Sequence, residues 1–244
     1  MNILILGASS AIAQAVIDGY VQRGATLLLV ARDEHKLRHI ADDARIRGAQ
    51  QVETLCLDAA TQGASQQLEH WLETLGLPLD LALLAYGSLP DQAECQTDLA
   101  RLAQAIEVNF TSAALLCSLL ANRMAARGSG TLAVISSVAG DRGRQSNYAY
   151  GAAKGGLSLF LQGLRNRLHR HGVKVLTIKP GFVDTPMTAQ FDKGALWAQP
   201  QQVARGIIKA VDRGQDVVYL PGFWRAIMWV IRLIPETLFK RLAL

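Results

Sequence analysis

The chain has 244 residues, half of them hydrophobic, and a formal net charge of +5. This length can bury one large core as a single domain, and no internal repeat, low-complexity tract or Pro/Gly/Ser-rich linker divides it. The basic residues are dispersed and are not interleaved with aromatics, which argues against a nucleic-acid-binding protein. The first apolar run begins at residue 2, leaving no room for a signal peptide, so we expect a cytoplasmic protein.

Seven short apolar runs alternate with segments of helical length. This alternation predicts an α/β fold: one doubly wound parallel sheet of about seven strands with helices on both faces. The runs cover residues 2–6, 26–31, 52–57, 79–85, 131–136, 173–179 and 216–220. We expect residues 1–221 to form this single domain and residues 222–244 to form an apolar, basic helical extension.

The first run ends at Gly7 and leads into Ala8-Ser9-Ser10-Ala11-Ile12-Ala13. A helix-permissive stretch to Tyr20 follows, so the segment is predicted to be strand, tight turn and helix. Such a turn directs backbone N–H groups and the positive end of the helix at a phosphate. Ser9 or Ser10 can cap the helix or bind the phosphate through its hydroxyl.

The fifth run ends at Ser137, and Tyr150 and Lys154 follow with a four-residue step that places them on one helix face. An ammonium beside the phenol favours the phenolate, which predicts a Tyr150 pKa lowered from about 10 toward working pH. Such a tyrosine can exchange a proton with a substrate oxygen. A lone Tyr-Lys pair is more often a surface pair, and Tyr148 serves as an internal comparison because its i+4 residue is Ala152.

Cys56, Cys95 and Cys117 are odd in number and form no Cys-x-x-Cys motif. We interpret them as reduced structural thiols of a cytoplasmic protein. The five histidines show no metal-binding spacing, so no metal is expected.

The last third of the chain is basic. Residues 165–244 carry a net charge of +8 and residues 1–164 carry −3. Residues 222–234 are apolar around most of a helix, with Arg225 and Arg232 on one stripe, and this segment is shorter than the roughly 20 residues that span a bilayer. It can lie in a membrane interface, or it can pack on the protein's own sheet or form a dimer contact.

The turn at Gly7 and the spacing of Ser137, Tyr150 and Lys154 resemble the short-chain dehydrogenase/reductase family over nearly the whole chain. The resemblance implies a Rossmann-type domain and an NAD(P)-dependent oxidoreductase acting on CH-OH or C=O groups. The family's G-x-x-x-G-x-G turn keeps only Gly7 here. Ala11 and Ala13 add methyl groups where the backbone nears the pyrophosphate and where helix meets sheet, the smallest departure that a residue with a side chain can make.

Further site residues are implied position by position. The catalytic set is Asn109, which would hold a water in the proton relay, with Ser137, Tyr150 and Lys154. The cofactor-binding set is Gly7, Ser9, Ser10, Ala11, Ile12, Arg32, Asp58, Ala59, Ala85, Gly87, Tyr150, Lys154, Pro180, Gly181, Val183 and Thr185. The family's Asn-Asn-Ala-Gly motif is replaced by Leu84-Ala85-Tyr86-Gly87, so its amide hydrogen bonds must come from the backbone or another residue.

Cofactor choice depends on the residue after the second strand. A carboxylate there would bind a ribose 2′-hydroxyl, whereas an arginine would pair with a 2′-phosphate. The sequence has Arg32 followed by Asp33. Arg32 favours NADP (NADPH) over NAD, although Asp33 is close enough to compete.

Segments 86–92, 140–148 and 234–242 resemble one subgroup, the decaprenylphosphoryl-2-keto-ribose reductases. That resemblance implies NADPH-dependent reduction of the 2-keto group of a polyprenylphosphoryl pentose, after a flavoenzyme partner has oxidised the ribose form. It also suits peripheral membrane contact through the carboxyl-terminal helix. Assembly into a homodimer or homotetramer is expected.

Two alternatives stay open from the sequence. The same chemistry can act on a soluble or acyl-chain carbonyl substrate, with the tail as a dimer or lid element. A non-catalytic NADP-binding sensor or scaffold is allowed by the missing glycines and missing Asn pair, and the complete Ser-Tyr-Lys set argues against it.

Overall fold

The computed structural model describes residues 1–242, in which strands and helices alternate as predicted. The strands are β1 (Asn2–Leu6), β2 (Thr26–Ala31), β3 (Gln51–Cys56), β4 (Leu81–Leu84), β5 (Gly130–Ile135), β6 (Val173–Pro180) and β7 (Val217–Leu220). The helices are α1 (Ala11–Val21), α2 (Glu34–Ile46), α3 (Ala64–Leu75), α4 (Gln92–Thr97), α5 (Leu99–Ile106), α6 (Ser112–Arg127), α7 (Tyr148–His169), α8 (Pro200–Asp212), α9 (Trp224–Leu233) and α10 (Glu236–Phe239).

All strand pairs are parallel, and the sheet order is β3-β2-β1-β4-β5-β6-β7. The predicted α/β fold, a doubly wound parallel sheet with helices on both faces, is therefore confirmed. Strand order reverses direction between β1 and β4, and ligands of such folds bind outside the carboxyl ends of the strands at this switch point.

The sheet has a separate apolar core on each face because successive side chains of a strand point to opposite sides. Ile3 and Ile5 of β1 join the core beneath α1, α2 and α8, whereas Leu4 and Leu6 join the core beneath α3, α6 and α7. Strands β2 and β4 are buried on both faces, which explains why their sequences are continuous apolar runs.

A single helical run extends from Leu99 to Arg127, with a π-helical turn at Glu107–Thr111 between α5 and α6. By length and composition alone this run could cross a membrane. In the fold, α6 packs on the sheet through Leu116, Cys117 and Leu120, as a core helix does. The π turn carries Asn109, and such turns often occur at functional sites.

The carboxyl-terminal segment packs on the domain along only one side of α9. Trp224 and Met228 are buried against Val138, whereas Trp229 is 66% exposed. One face of α9 is therefore buried against the domain and the opposite face is exposed to solvent. Residues 243–244 of the predicted extension lie outside the described residues. The domain boundary at residue 221 stays a prediction.

Candidate active site

Six of the seven strands are followed, within three residues, by a residue that the sequence predicts to belong to the site. Gly7, Arg32, Asp58, Gly87, Ser137 and Gly181 follow β1 to β6 within a few residues of each strand's last residue. Because carboxyl ends of parallel strands share one edge, the predicted site residues collect along that edge of the sheet. Neither distance along the chain nor residue type alone would bring them together.

The turn after β1 requires glycine for two independent reasons. Gly7 has φ +86°, a conformation that residues with a Cβ rarely adopt. A Cβ built there would lie 2.6 Å from the backbone nitrogen of Tyr86. Ser10 occupies the N-cap of α1, but its side chain makes no capping hydrogen bond, so the predicted capping role is not found and the hydroxyl stays free to bind an anion.

Tyr86 and Asn109 supply polar contacts in the segment that lacks the amide pair. The Tyr86 hydroxyl lies 3.2 Å from Ser112 Oγ. The Ser88 amide donates to Asn109 Oδ1 at 3.1 Å, and Asn109 Nδ2 donates to the Ala105 carbonyl at 3.0 Å. Asn109 is thus held in the π turn by the Ala105 carbonyl and gives the segment after β4 a side-chain hydrogen-bond acceptor.

Gly87 lets Asn109 and Lys154 approach the end of β4. A Cβ at Gly87 would lie 2.9 Å from Asn109 Oδ1 and 3.4 Å from Lys154 Nζ. The structure therefore brings two of the four predicted catalytic residues to one point.

Ser137 meets Tyr150 because the loop after β5 lies directly on α7. A Cβ at Gly140 would lie 2.6 Å from the Gly155 nitrogen, so only glycines allow this backbone contact. The Ser137 hydroxyl lies close enough to Tyr150 to lower the pKa of the phenol, and Ser137 Oγ accepts from the Ala139 amide at 3.1 Å. Tyr148, by contrast, is 44% exposed.

The predicted lowering of the Tyr150 pKa by Lys154 is wrong for this structure. Burial raises the pKa of Tyr150 to about 12, and the bond to Ser137 opposes that rise. Lys154 Nζ donates to the Ile135 carbonyl at 3.1 Å and lies 5.8 Å from the Tyr150 ring centroid. Desolvation lowers the pKa of Lys154 itself to about 8.

Arg32 and Asp33 have different structural roles. Asp33 caps α2 by accepting from the Lys36 amide at 3.0 Å, and this bond lowers the pKa of its carboxyl group. Arg32 is exposed directly after β2, and among the described residues no ion pair involves it. The carboxylate that competed with Arg32 is therefore already engaged.

The remaining predicted positions form two turns. Asp58 Oδ1 accepts from the Ala60 amide at 3.0 Å, which shapes the turn that contains Ala59. Thr185 is the N-cap residue of the short helical turn Pro186–Thr188 that follows Val183, and its amide donates to Thr188 Oγ1 at 3.2 Å. The structure gives no contact that joins these two turns to Tyr150 or Lys154.

Sequence reasoning missed the contact of Trp224 with Gly181. A Cβ at Gly181 would lie 1.9 Å from Trp224 Nε1, so this glycine makes room for an indole from the tail. Phe182 meets the same indole edge-on, with ring centroids 5.2 Å apart. The 43 residues that separate Gly181 from Trp224 in sequence leave no local signal of this contact.

No group of three or more His, Cys, Asp or Glu side chains that could hold a metal ion occurs in residues 1–242. The three cysteines are free thiols.

The short chain dehydrogenase family model matches residues 1–195. An uncharacterized oxidoreductase of Mycobacterium tuberculosis is 37% identical over 219 residues, which cover 90% of this chain and 88% of the relative. Many solved structures share the fold, among them two NADPH complexes. A short-chain dehydrogenase from Sphingobium yanoikuyae in complex with NADPH has a TM-score of 0.84 at 24% identity, covering 96% of each chain.

The second structure is an actinorhodin polyketide ketoreductase with NADPH, with a TM-score of 0.81 at 21% identity over 91% of this chain and 96% of that one. The chain belongs to the short-chain dehydrogenase family and is an oxidoreductase.

We expect Tyr150→Phe to reduce turnover by about 10²-fold or more, because it removes a positioned proton donor and keeps the packing of the ring. Cofactor binding should stay nearly unchanged in a fluorescence titration. Tyr148→Phe is the matched control and should keep full activity. An active Tyr150→Phe beside an inactive Tyr148→Phe would reverse the assignment.

Burial of Lys154 predicts a pH-dependent stability. From pH 8 to pH 10 the folded state releases the Lys154 proton before the unfolded state does, so the Lys154 contribution to the free energy of unfolding should rise with pH; the Cys117 thiol, whose pKa burial raises from 9.0, contributes a fall above that pH in every variant. The complete rise from one pKa to the other is about 3 kcal/mol. In Lys154→Met this rise should be absent, and in Lys209→Met, which changes an exposed lysine, it should persist. Urea denaturation across this range measures it, and equal slopes in wild type and Lys154→Met would contradict the assignment.

Proposed function

We propose that the protein reduces a ketone to a secondary alcohol with NADPH. The observation that carries this proposal is the meeting of Ser137, Tyr150 and Lys154 at the carboxyl edge of the sheet, on the same edge as the Gly7 turn. A hydroxyl, a phenol and an ammonium around one point can hold and protonate a carbonyl oxygen.

The residues at the switch point fit a phosphorylated dinucleotide. The first-turn N–H groups of α1 have no intrahelical acceptor, and the uncapped Ser10 hydroxyl lies beside them. Arg32 follows β2, where a ribose 2′-phosphate would need a cation. Asp58, Ala59, Val183 and Thr185 are proposed to line the rest of this site. The NADPH complex of the Sphingobium enzyme supports the choice of cofactor.

When bound, NADPH supplies the hydride. The electron pair of the carbonyl π bond moves to oxygen as the new C–H bond forms, and Tyr150 gives its proton to that oxygen. Ser137 donates a hydrogen bond that stabilises the developing alkoxide. With a pKa raised to about 12, Tyr150 stays protonated at neutral pH, as an acid must.

Lys154 and Asn109 are proposed to restore the proton that Tyr150 loses. The pKa of Lys154, about 8, lets this side chain give up a proton near neutral pH. Asn109 lies within reach of Lys154 at Gly87 and is held by the Ala105 carbonyl, so it can order a water on the path.

Replacing Arg32 by Ala should weaken NADPH binding by roughly 1.5–3 kcal/mol and leave NADH binding nearly unchanged, because only NADPH carries the 2′-phosphate. Titration of both cofactors by calorimetry measures the difference. Arg38→Ala, which removes an exposed arginine paired with Glu34, is the control. Equal losses for NADPH and NADH would mean that Arg32 does not touch the phosphate.

We further propose that the substrate is a polyprenylphosphoryl 2-keto pentose, formed by a flavoenzyme partner, and that the protein binds the cytoplasmic membrane peripherally. Support comes from an apolar surface on the tail that the domain leaves exposed. This exposed tail face consists of Phe223, Trp229, Val230, Leu233 and Leu238. Arg225 and Arg232 flank it, and such a combination suits an interface with anionic lipid.

The alternative substrate class, a soluble or acyl-chain carbonyl, is supported by the packed side of α9. Trp224 is only 4% exposed and contacts Gly181, so the tail also completes the folded domain. Exposed Leu115 on α6 and Leu159 on α7 support a homodimer or homotetramer in either case. A non-catalytic sensor would keep the Arg32 site and lack turnover.

NADPH oxidation should be measured with a polyprenylphosphoryl 2-keto pentose in anionic vesicles and with a short water-soluble ketone. We expect Trp229→Ala with Leu233→Ala, and Arg225→Glu with Arg232→Glu, to lose vesicle binding and turnover of the lipid substrate. Both should still reduce the soluble ketone, because the changed side chains are exposed and the buried side of α9, with Trp224 and Met228, is kept. Ile46→Ala, which removes an exposed apolar side chain at the end of α2, should behave as wild type.

Three results would decide against these proposals. If the wild-type protein stays in the supernatant after co-sedimentation with anionic vesicles at low salt, the proposed membrane binding is wrong. Turnover of the soluble ketone alone moves the soluble-substrate class to first place. NADPH binding without any turnover would favour the sensor.

A further inference from the structure

We propose that Arg142 is a positioning residue for Ser137: it fastens the loop that carries the serine to α9 and α10, so that docking of the tail sets the position of the Ser137 hydroxyl. The inference rests on the proposed reduction, in which Ser137 holds the developing alkoxide. It adds a role for the tail on the inner side, opposite the exposed tail face.

Arg142 binds the backbone carbonyls at the carboxyl end of α9. Its Nη1 donates to the carbonyls of Ile231, Arg232 and Ile234 at 3.1, 3.2 and 2.6 Å. These carbonyls lie at the carboxyl end of α9, where a cation is stabilising, and of the three the Ile231 carbonyl also accepts from the Ile234 amide at 3.4 Å. One guanidinium thus satisfies three acceptors of the tail, although 89 residues or more separate it from them.

Arg142 also holds α10. Its Nη2 donates to Glu236 Oε2 at 2.9 Å, and the guanidinium carbon lies 3.9 Å from the ring centroid of Phe239. The Arg142 side chain is 14% exposed and Phe239 is buried, so the stacked contact is largely shielded from water, whereas the Glu236 side chain is 77% exposed. Stacking on an aromatic ring is worth more in such a desolvated setting than at the surface.

The preceding residue anchors the same loop to the sheet. Asp141 accepts from Lys179 Nζ on β6 and from the Tyr219 hydroxyl on β7, the latter at 2.7 Å. Its side chain is 3% exposed, and burial together with Asp141 raises the pKa of Tyr219 to about 12. Neighbouring residues of one short loop therefore bind the sheet on one side and the tail on the other.

The residue that follows Ser137 directly is also held by the tail. Val138 is buried in a cluster with Trp224 and Met228 of α9. Ser137 consequently lies directly before the five-residue segment 138–142, and both ends of that segment contact the carboxyl-terminal helices. The Gly7 turn, which is proposed to bind the phosphates, has no part in this arrangement.

This asymmetry makes the proposal testable. If Arg142 acts through Ser137, Arg142→Gln should lower kcat for a soluble ketone by about 10-fold to 100-fold, as expected for a misplaced group, and leave KM for NADPH unchanged. In a Ser137→Ala background, Arg142→Gln should cause little further loss, which is the signature of two residues acting as one unit. Arg142→Lys, which keeps the charge but not the fork of donors, should restore part of the rate.

Arg127→Gln is the matched control. Arg127 also donates to a backbone carbonyl, that of Leu79, and to a carboxylate, that of Asp80, but at the other edge of the sheet. It should lower the melting temperature and leave kcat unchanged. A full kcat in Arg142→Gln, or an undiminished effect of Arg142→Gln in the Ser137→Ala background, would overturn the proposal.

Hydrogen exchange by mass spectrometry separates this inference from the proposed reduction, since it needs no substrate. Exchange of residues 137–142 should be faster in Arg142→Gln than in wild type and unchanged in Arg127→Gln. Unchanged exchange in Arg142→Gln overturns the positioning role even if ketones are reduced, whereas absent turnover in wild type overturns the reduction alone. Where Arg142→Gln fails to fold, Phe239→Leu, which removes the stacked ring and keeps an apolar side chain, is judged by the same criteria.

Discussion

The direct contact between the loop after β5 and helix α7 is the constraint on which the rest of the site depends. Backbone meets backbone there, since Cβ atoms at Gly140 and Gly155 would lie 2.6 and 2.9 Å from atoms of the opposite segment. Tight packing of this kind leaves no room for adjustment. The spacing of Ser137, Tyr150 and Lys154 therefore has meaning only because glycines bring the loop and the helix together.

The same close packing determines the electrostatics of the site. Tyr150 and Lys154 are removed from water, and desolvation disfavours the charged form of each group: the phenolate and the ammonium. Burial therefore raises the pKa of Tyr150 and lowers the pKa of Lys154, which favours the neutral form of each side chain. A phenol that keeps its proton next to an amine that can lose one is suited to proton delivery, and burial alone is enough to produce that arrangement.

Sequence patterns predicted what depends on local periodicity and family motifs. The strands fall within about two residues of the predicted apolar runs, since strands buried on both faces must be apolar throughout. The sign of the Tyr150 pKa shift was wrong, because a four-residue step fixes which helix face a lysine occupies and not where its flexible chain ends. Lys154 reaches the Ile135 carbonyl instead of the phenol.

Contacts of the tail were beyond sequence reasoning for a different reason. Arg142 lies about 90 residues from the carbonyls it binds, and Asp141 lies 78 from Tyr219, so no periodicity records either pairing. The sequence predicts that residues 222–234 are apolar around most of a helix. In the structure, the apolar side chains on one face of α9 are buried and those on the other face are exposed. Trp224 and Met228 pack against Val138, next to Ser137, whereas Trp229 is exposed to solvent. A partner or lipid surface at the exposed tail face would therefore contact the same helix whose carboxyl end binds Arg142. If a partner or lipid surface binds the exposed tail face, that binding would be coupled to the position of Ser137 through α9, with a coupling free energy set by how differently the bound and free states order this helix.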